Sequence, residues 1–211
     1  MAEVGGDNAD HAGFDPELPI DWLEPAQLGD ALPGRLGLTI LPGKRGTSFR
    51  YPGRVYQRDL DLDFTLLREV GVQRLILLVE DAELRRWSDP AIVERGAAAG
   101  VTVLRHPLPD GAAPGSTGEM EAILSEIREA RAASNVAVAC MGGVGRTGTV
   151  AACALVAGGM TPEEAIATVR EVRHPTAVET SEQERFVRSF ARAKERTRSW
   201  TARRQGQLAD P

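Results

Sequence analysis

The stretch Val138-Ala-Cys140-Met-Gly-Gly-Val-Gly-Arg146-Thr-Gly148 decides how this chain is interpreted. A run of small apolar residues, Val136–Ala139, leads into it and predicts a short buried strand. The apolar, alanine-rich segment Ala151–Ala157 follows it and predicts a buried helix that ends at Gly158-Gly159. A glycine-rich loop between a strand and a helix is typical of a site where main-chain amides bind an anion.

Strand and helix signals alternate on both sides of this loop. Leu36–Leu41, Arg74–Val79 and Val101–Arg105 are short apolar runs that predict further strands. Three capping boxes predict the beginnings of helices, and they start at Ser116, Thr161 and Thr180. Strands separated by helices predict a single-domain α/β fold, with a mainly parallel central sheet of about four to five strands and helices on both faces.

The composition argues against several classes of protein. The chain has 211 residues, with 25 Lys+Arg and 30 Asp+Glu, and its net charge of −5 disfavours a nucleic-acid partner. No apolar run approaches the about 20 residues that span a bilayer, and the acidic start does not resemble a secretory leader. We therefore expect a cytoplasmic protein with no membrane partner. Two cysteines and three scattered histidines predict no disulfide framework, and we expect no metal and no cofactor.

The two ends of the chain differ in charge from its middle. Residues 1–30 carry eight acidic residues and neither Lys nor Arg, which predicts an acidic lead-in, partly disordered at its tip. Trp22 and Leu23 are expected to fix its second half to the body of the protein. The main domain is predicted over residues 31–195, followed by a polar, basic tail over 196–211. The sequence does not set the oligomeric state, and a monomer is the simplest expectation.

Two nucleotide-binding motifs match parts of the loop and fail in context. Gly143-Val-Gly145-Arg-Thr-Gly148 has the spacing of a dinucleotide-binding loop, but no second strand ending in an acidic residue follows about 20 residues later. A nucleotide P-loop places glycine where this chain has Cys140, and lysine where it has Arg146. Both nucleotide interpretations are therefore rejected.

A third interpretation uses every residue of the loop. Its small or flexible residues allow successive N–H groups to converge on one anion, and the following helix adds the positive charge of its N-terminus. Arg146 offers two parallel donors to phosphate oxygens, and Cys140 lies where the field favours a thiolate. These are the parts needed to attack a phosphorus atom. The predicted phosphate-binding residues are Met141, Gly142, Gly143, Val144, Gly145 and Arg146, whereas Cys153 is interpreted as a core residue.

The segment from Cys140 to Gly148 resembles the Cys-x5-Arg-[Ser/Thr] signature of the cysteine-dependent protein tyrosine phosphatases. Its Gly-Gly-x-Gly-Arg form is similar to the dual-specificity branch of that superfamily. From about Leu38 to Phe190 the chain resembles the kinase-associated phosphatase (cyclin-dependent kinase inhibitor 3) type. The matching features are Leu41-Pro-Gly43, the loop Leu108–Pro114 and the segment Ala177–Gln183.

The chemistry also requires an acid for the leaving oxygen. Asp110 is the candidate, since it lies in a proline-rich loop directly after a predicted strand. In the phosphatases that this chain resembles, an Asp at that place is the general acid and then the base for water. Glu80 and Asp81, at the end of the preceding strand, are weaker candidates.

Three further residues have both a functional and a structural interpretation. Thr147 can donate its hydroxyl to the sulfur of Cys140, or it can cap the helix. Gln183 resembles a family glutamine that positions the hydrolytic water, but it is also the last residue of a capping box. Glu179 is an alternative for that water-positioning role.

The resemblance implies a metal-independent phosphatase that hydrolyses phosphoprotein monoesters, on phosphotyrosine, phosphoserine or phosphothreonine, through a phosphocysteine on Cys140. Most relatives have histidine before the cysteine, whereas this chain has Ala139, which leaves open a catalytically weak phosphate-binding module. Met141, Gly142 and Val144 bring no cation to the loop, which favours phosphoprotein over the other alternative, a lipid or inositol phosphate.

Overall fold

The computed structural model describes residues 17–48 and 50–207. The strands in this part of the chain are β1 (Ile20–Leu23), β2 (Leu36–Ile40), β3 (Arg45–Thr47), β4 (Val55–Gln57), β5 (Val72–Leu77), β6 (Thr102–Arg105) and β7 (Asn135–Cys140). The helices are α1 (Leu60–Glu69), α2 (Asp81–Trp87), α3 (Ile92–Ala98), α4 (Thr117–Arg131), α5 (Gly145–Gly158), α6 (Pro162–Val172) and α7 (Ser181–Gln207).

The central sheet has five strands in the order β1-β2-β7-β5-β6, and helices pack around it. The pairs β2–β7, β7–β5 and β5–β6 are parallel, whereas β1 joins β2 in antiparallel orientation at the edge. The predicted fold class, a mainly parallel sheet in a single α/β domain, is therefore confirmed. β3 and β4 form a separate two-stranded hairpin.

The strand β7 lies in the middle of the sheet, and its burial fits its sequence. It is paired on both edges, and the side chains from Val136 to Cys140 are all buried. Because β2, β5, β6 and β7 are parallel, their carboxyl ends meet at one edge of the sheet. The loops that follow these four strands therefore lie together, which is where α/β proteins bind their ligands.

The helix α5 is buried along almost its whole length. All twelve residues from Gly145 to Val156 are buried, as expected for a helix that is apolar on every side. It contacts β7, α6 and α7, so its N-terminus is held inside the protein. The structure begins this helix at Gly145 instead of Ala151, because the second half of the glycine-rich loop is itself the first helical turn.

The predicted capping residues are in place at the other helices. Ser116 and Thr161 are the N-caps of α4 and α6, and Thr180 exchanges two hydrogen bonds with Gln183 at the start of α7. The sequence analysis missed the helix α2 and the hairpin β3–β4. α2 gives little apolar signal, since Leu84 is the buried residue within it.

Both ends of the chain contribute to the fold within the described residues. β1 lies inside the predicted acidic lead-in, with Leu23 buried and the Trp22 ring 4.1 Å from the guanidinium of Arg35. The contact of Trp22 and Leu23 with the body is therefore confirmed, whereas the tip predicted to be disordered falls in residues 1–16, outside the described part. α7 continues past residue 196, where the tail was predicted to begin. Among the helices described, none has the length and apolar character needed to cross a membrane.

Candidate active site

Cys140 is the last residue of β7, and the loop 141–144 connects it to α5. Its side chain is 3% exposed and lines a pocket of about 330 Å³ at the carboxyl edge of the sheet. Gly143 has a φ of +66°, and a Cβ there would clash with the main-chain oxygen of Thr39. Glycine is thus required for the loop to turn this closely against β2. Val144 is the N-cap of α5 and has no side-chain oxygen to occupy the amides of the first turn.

Arg146 reaches into the same pocket from the first turn of α5. Its Nη1 donates to Glu83 Oε2 at 2.7 Å and to the main-chain oxygen of Leu108 at 2.8 Å, and its Nη2 donates to Glu83 Oε1 at 2.7 Å. Burial by itself lowers the pKa of Arg146, but the hydrogen bonds that it donates to Glu83 and the nearby charges of Cys140 and Glu83 raise it above its usual range. The guanidinium therefore stays charged and is held in one orientation.

Glu83 is a site residue that the sequence analysis missed. Burial favours its protonated form, but the hydrogen bond from Arg146, the hydrogen bond from the amide of Glu80 and the charge of Arg146 together lower the pKa of Glu83. Glu80 and Asp81, the weaker candidates for the general acid, have other contacts. Glu80 is exposed and caps α2, and Asp81 pairs with Arg105. No sequence signal pointed to Glu83, because no spacing connects α2 to the loop that follows Cys140.

Asp110 lies where the sequence analysis expected it, in the loop after β6. Its Oδ1 is 3.0 Å from Arg146 Nη2, and its side chain is 85% exposed and lines the pocket of Cys140. The loop is held at both ends, because Leu108 N donates to the oxygen of Leu78, and Thr180 Oγ1 donates to the oxygen of Gly111. The structure thus brings Cys140, Arg146 and Asp110 to one pocket.

The remaining predicted residues are placed differently. Thr147 Oγ1 is buried and has no hydrogen-bond partner among the described residues, so the expected bond to the sulfur of Cys140 is not formed. Gln183 is fully buried; its Oε1 accepts from the amides of Glu179 and Thr180, and its Nε2 donates to the oxygen of Ala112. Glu179, the alternative to Gln183, lines the pocket directly.

Arg173 supports the loop from behind, and no sequence signal pointed to it. Its Nε and Nη2 donate to the main-chain oxygens of Gly143 and Gly142 at 2.9 and 3.2 Å. Its Nη1 pairs with Asp21 of β1 at 2.5 Å. Arg173, the C-cap residue of α6, therefore holds the carbonyl groups of this loop from one side.

Cationic side chains from several elements line the pocket, although Arg146 is the cation that the glycine-rich segment itself contributes. The cationic lining residues from other elements are Lys44, Arg50, Arg54 and Arg173. The absence of cations at Met141, Gly142 and Val144 was the argument for phosphoprotein against polyanionic substrates. The pocket nevertheless has cations, because tertiary structure brings them from other elements.

Comparison with known proteins places this site in a family. The family described as "Tc-R-P: Polymorphic toxin system, DSP-PTPase phosphatase" matches residues 53–160, slightly more than half of the chain. The chain belongs to the dual-specificity protein-tyrosine phosphatases. The predicted resemblance is thereby confirmed, and with it a cysteine-based protein phosphatase.

Two curated proteins are similar to this phosphatase in sequence. The cyclin-dependent kinase inhibitor 3 of Rattus norvegicus is 29% identical over 192 residues, which are 87% of this chain and 85% of the relative. An uncharacterized protein of Methanocaldococcus jannaschii is 34% identical over 128 residues, which are 60% of this chain and 80% of the relative.

Solved structures agree with these sequence relatives. The kinase-associated phosphatase with its catalytic-site cysteine changed to serine has a TM-score of 0.71 at 25% identity, covering 82% of this chain and 93% of that one. Tk-PTP in its active form has a TM-score of 0.60 at 29% identity, covering 76% and 94%. Cys140 of this phosphatase is at the position of the catalytic cysteine of the kinase-associated phosphatase.

The second cysteine of the phosphatase is separate from the pocket. Cys153 lies in the middle of α5, fully buried, and burial raises the pKa of its thiol well above the usual value. Its interpretation as a core residue is confirmed. Ala139, the residue before Cys140, is also fully buried, and its main-chain oxygen accepts from Leu78 N at 2.9 Å.

Proposed function

We propose that this phosphatase hydrolyses phosphoprotein monoesters in two displacements, with Cys140 as nucleophile, Arg146 as phosphate-binding residue and Asp110 as general acid and base. One observation carries the proposal: these three side chains line a single pocket at the N-terminus of a buried helix. A thiolate, a fixed guanidinium and an exposed carboxylate around one space are what phosphoryl transfer to sulfur requires.

In the first displacement the sulfur of Cys140 attacks phosphorus. A sulfur–phosphorus bond forms, the bond to the substrate oxygen breaks, and Asp110 gives that oxygen its proton. The amides of Gly142–Gly145, the helix N-terminus and Arg146 stabilise the three remaining oxygens as charge spreads over them. Glu83 positions Arg146 for this task through its two hydrogen bonds.

In the second displacement a water molecule attacks the phosphocysteine. Asp110, now a carboxylate, takes the proton from the water as the new oxygen–phosphorus bond forms. The bond to sulfur breaks, and inorganic phosphate leaves a regenerated thiolate on Cys140. Thr147 assists this departure once its buried hydroxyl, which has no other partner among the described residues, turns toward the sulfur.

Gln183 is proposed to position the attacking water. Its amide joins Ala112 in the loop of Asp110 to the start of α7, so it holds that loop against the segment that carries Glu179. Glu179 is the alternative, since its side chain lines the pocket. Comparison of Gln183→Ala with Glu179→Ala separates the two. Loss of the residue that positions the water should slow hydrolysis of the phosphocysteine without slowing its formation.

The proposed substrate is a phosphorylated protein, with phosphotyrosine, phosphoserine and phosphothreonine all accepted. The relatives named cyclin-dependent kinase inhibitor 3 are the basis for a protein substrate. We further propose that the enzyme acts as a cytoplasmic monomer without metal, nucleic acid or membrane, in keeping with its net charge of −5.

The test is turnover of para-nitrophenyl phosphate and of phosphopeptides in EDTA, with vanadate as inhibitor. The wild-type protein should turn over and be inhibited, Cys140→Ser should lose activity, and acid quenching should trap phosphate on Cys140. Cys153→Ser is the matched control and should remain active, because Cys153 is buried away from the pocket. Turnover by Cys140→Ser at the wild-type rate would falsify the proposal.

A further inference from the structure

Another cavity lies at the opposite end of α5 from the catalytic pocket. Its volume is about 280 Å³, and its walls come from α4, α5, α7 and the segment that connects β1 to β2. Gly158, the last residue of α5, lines this cavity, whereas Arg146 in the first turn lines the catalytic pocket. Because α5 has 14 residues, about 21 Å of helix separates its two ends. The proposed chemistry therefore does not use this cavity.

The inner walls of the cavity are apolar. Leu28, Leu124 and Ile127 line it and are buried, and the residues that α5 contributes include Ala154 and Ala157. Their small side chains leave a space on this side that a larger residue would fill. Apolar cavity walls favour a ligand with an apolar body over water.

The wall formed by the connection between β1 and β2 is fixed before any ligand binds. Gly29 has a φ of +66° and packs so closely against Gly158 that a Cβ on either residue would clash with main-chain atoms of the other segment. Arg131 donates to both carboxylate oxygens of Asp30 at 2.8 and 2.9 Å, and to the main-chain oxygen of Gly34 at 2.7 Å. A preformed cavity of this kind binds a ligand with little loss of conformational freedom in the protein.

Two cations that line the cavity share one carboxylate. Lys194 Nζ of α7 is 2.9 Å from one oxygen of Glu121, and Arg128 Nη2 of α4 is 3.9 Å from the other. The charges of Arg131 and Asp30 cancel in their own ion pair. One positive charge thus remains in excess beside the apolar walls, and it lies toward solvent because both cations are partly exposed. This pattern complements a single carboxylate attached to an apolar body.

The volume of the cavity sets the size of that body. A water molecule takes about 30 Å³ of liquid volume, so the cavity has space for about nine non-hydrogen atoms of comparable size. Octanoate, with about ten such atoms, fills this space when its carboxylate stays at the opening. A longer chain has to extend into solvent.

We propose that this cavity binds a medium-chain aliphatic carboxylate, with the chain against α4 and α5 and the carboxylate on Lys194 and Arg128. The inference goes beyond the proposed function and does not depend on it, because it rests on residues at the opposite end of α5.

The test titrates the full chain with hexanoate, octanoate, decanoate and 1-octanol while amide ¹H–¹⁵N spectra are recorded. Octanoate should shift the amides of Gly29 and Gly158, with a Kd below about 1 mM for a ligand of this size. It should bind about fifteenfold more tightly than hexanoate, since two further methylenes are buried, and decanoate should gain little because the cavity is full. 1-Octanol should bind roughly tenfold more weakly, because it lacks the charge-assisted contact.

Two variants locate the carboxylate and the chain separately. Lys194→Met should weaken octanoate binding about tenfold and leave 1-octanol binding unchanged. Arg188→Met is the matched control, because it removes a charge from the same helix but pairs with Glu163 and Glu184, away from the cavity. Ala157→Leu should abolish binding of both ligands by filling the space. The charge test does not depend on how Ala157→Leu folds, since Lys194 is partly exposed.

The outcomes that would overturn the proposal are distinct. Unchanged amides of Gly29 and Gly158 at about 10 mM octanoate would remove the site. Equal affinities for octanoate and 1-octanol would remove the carboxylate contact, and affinity that keeps rising through dodecanoate would indicate an open apolar surface instead of this cavity. A Kd for octanoate that rises when vanadate is added would place the ligand in the catalytic pocket. None of these readouts uses turnover, so their failure is separate from failure of the proposed function.

Discussion

Glu83 binds the guanidinium of Arg146 through two parallel hydrogen bonds of 2.7 Å each. The arginine side chain is 1% exposed and the glutamate 16%, so the pair lies inside the protein at the base of the pocket. Because α2 and α5 carry these two residues, the pair fixes the orientation of the phosphate-binding group from a distant part of the chain.

Glu83→Gln should lower kcat/KM about tenfold to hundredfold. The amide has one acceptor atom in place of two and cannot accept both parallel hydrogen bonds, so the guanidinium loses its fixed orientation. Misplacement of a positioned group costs up to about 10² in rate. The inhibition constant for vanadate should rise with it. Glu80→Gln on the same helix is the control, since Glu80 is exposed, and it should behave as wild type. Normal vanadate binding by Glu83→Gln would contradict this positioning role.

Asp110→Asn should slow substrates in proportion to how poorly their alcohol leaves. Loss of a general acid costs roughly 10²–10⁴ in rate for an alkyl leaving group such as serine. para-Nitrophenol leaves without a proton, so its phosphate ester should lose far less. Parallel kcat/KM measurements on a phosphoserine peptide and para-nitrophenyl phosphate test this, because kcat/KM reports formation of the phosphocysteine and not its hydrolysis, which the two substrates share. Asp81→Asn serves as control because Asp81 pairs with Arg105; equal losses on both substrates would argue against Asp110 as the acid.

Lys44 should make the stability of the protein depend on pH in the alkaline range. Burial lowers its pKa to about 8 in the folded protein, from 10.5, so between these values the unfolded chain binds more protons than the folded one. The free energy of unfolding therefore gains a contribution that rises with pH between about 8 and 10.5. Urea denaturation across this range should show the rise in wild type and Lys194→Met, and a weaker one in Lys44→Met. Identical curves for all three proteins would refute the shift.

Asp63 should be far more important for stability than Asp61, although both lie in the first turn of α1. Asp63 is buried, accepts two hydrogen bonds from Arg58, and accepts another from the amide of Gly43 in the turn before Lys44. Removing one partner of a buried pair costs about 3–5 kcal/mol, so Asp63→Ala should lower the free energy of unfolding by this amount. Asp61→Ala removes an exposed pair with Arg95 and should cost below about 1 kcal/mol. Similar denaturation midpoints for the two variants would show that the buried pair adds nothing.

The fold and the core of the site could be predicted because their signals are local in sequence. The strand β7, the glycine-rich loop and α5 are consecutive, so Cys140 and Arg146 are brought together by a single turn of chain. Asp110 was found since it follows a recognisable strand whose carboxyl end had to meet the same edge of the sheet. The capping residues Thr161 and Thr180 were found for the same reason, as each bonds to a residue three positions away.

The partners of the loop were not predictable, because no spacing connects them to it. Glu83 lies 63 residues before Arg146, Lys44 lies 97 residues before Met141, and Arg173 reaches back 30 residues to Gly143. Each of the three has other charged residues close to it in the sequence. Its burial in the folded protein distinguishes it from those neighbours, and burial of one charged residue among several cannot be read from the sequence. The orientation of the Thr147 hydroxyl was not predictable for a related reason, since the direction of a buried hydroxyl depends on packing and not on sequence separation.

The sequence by itself thus determined a strand, an anion-binding loop and a helix that carry a cysteine and an arginine to one point. Tertiary structure alone decided what surrounds that point: the carboxylate that orients Arg146, the arginine behind the loop, and the buried lysine beside it. The physical reason is that backbone hydrogen bonds and helix caps act between neighbours in the chain. Burial and charge pairing act through space, between residues that only the folded sheet brings together.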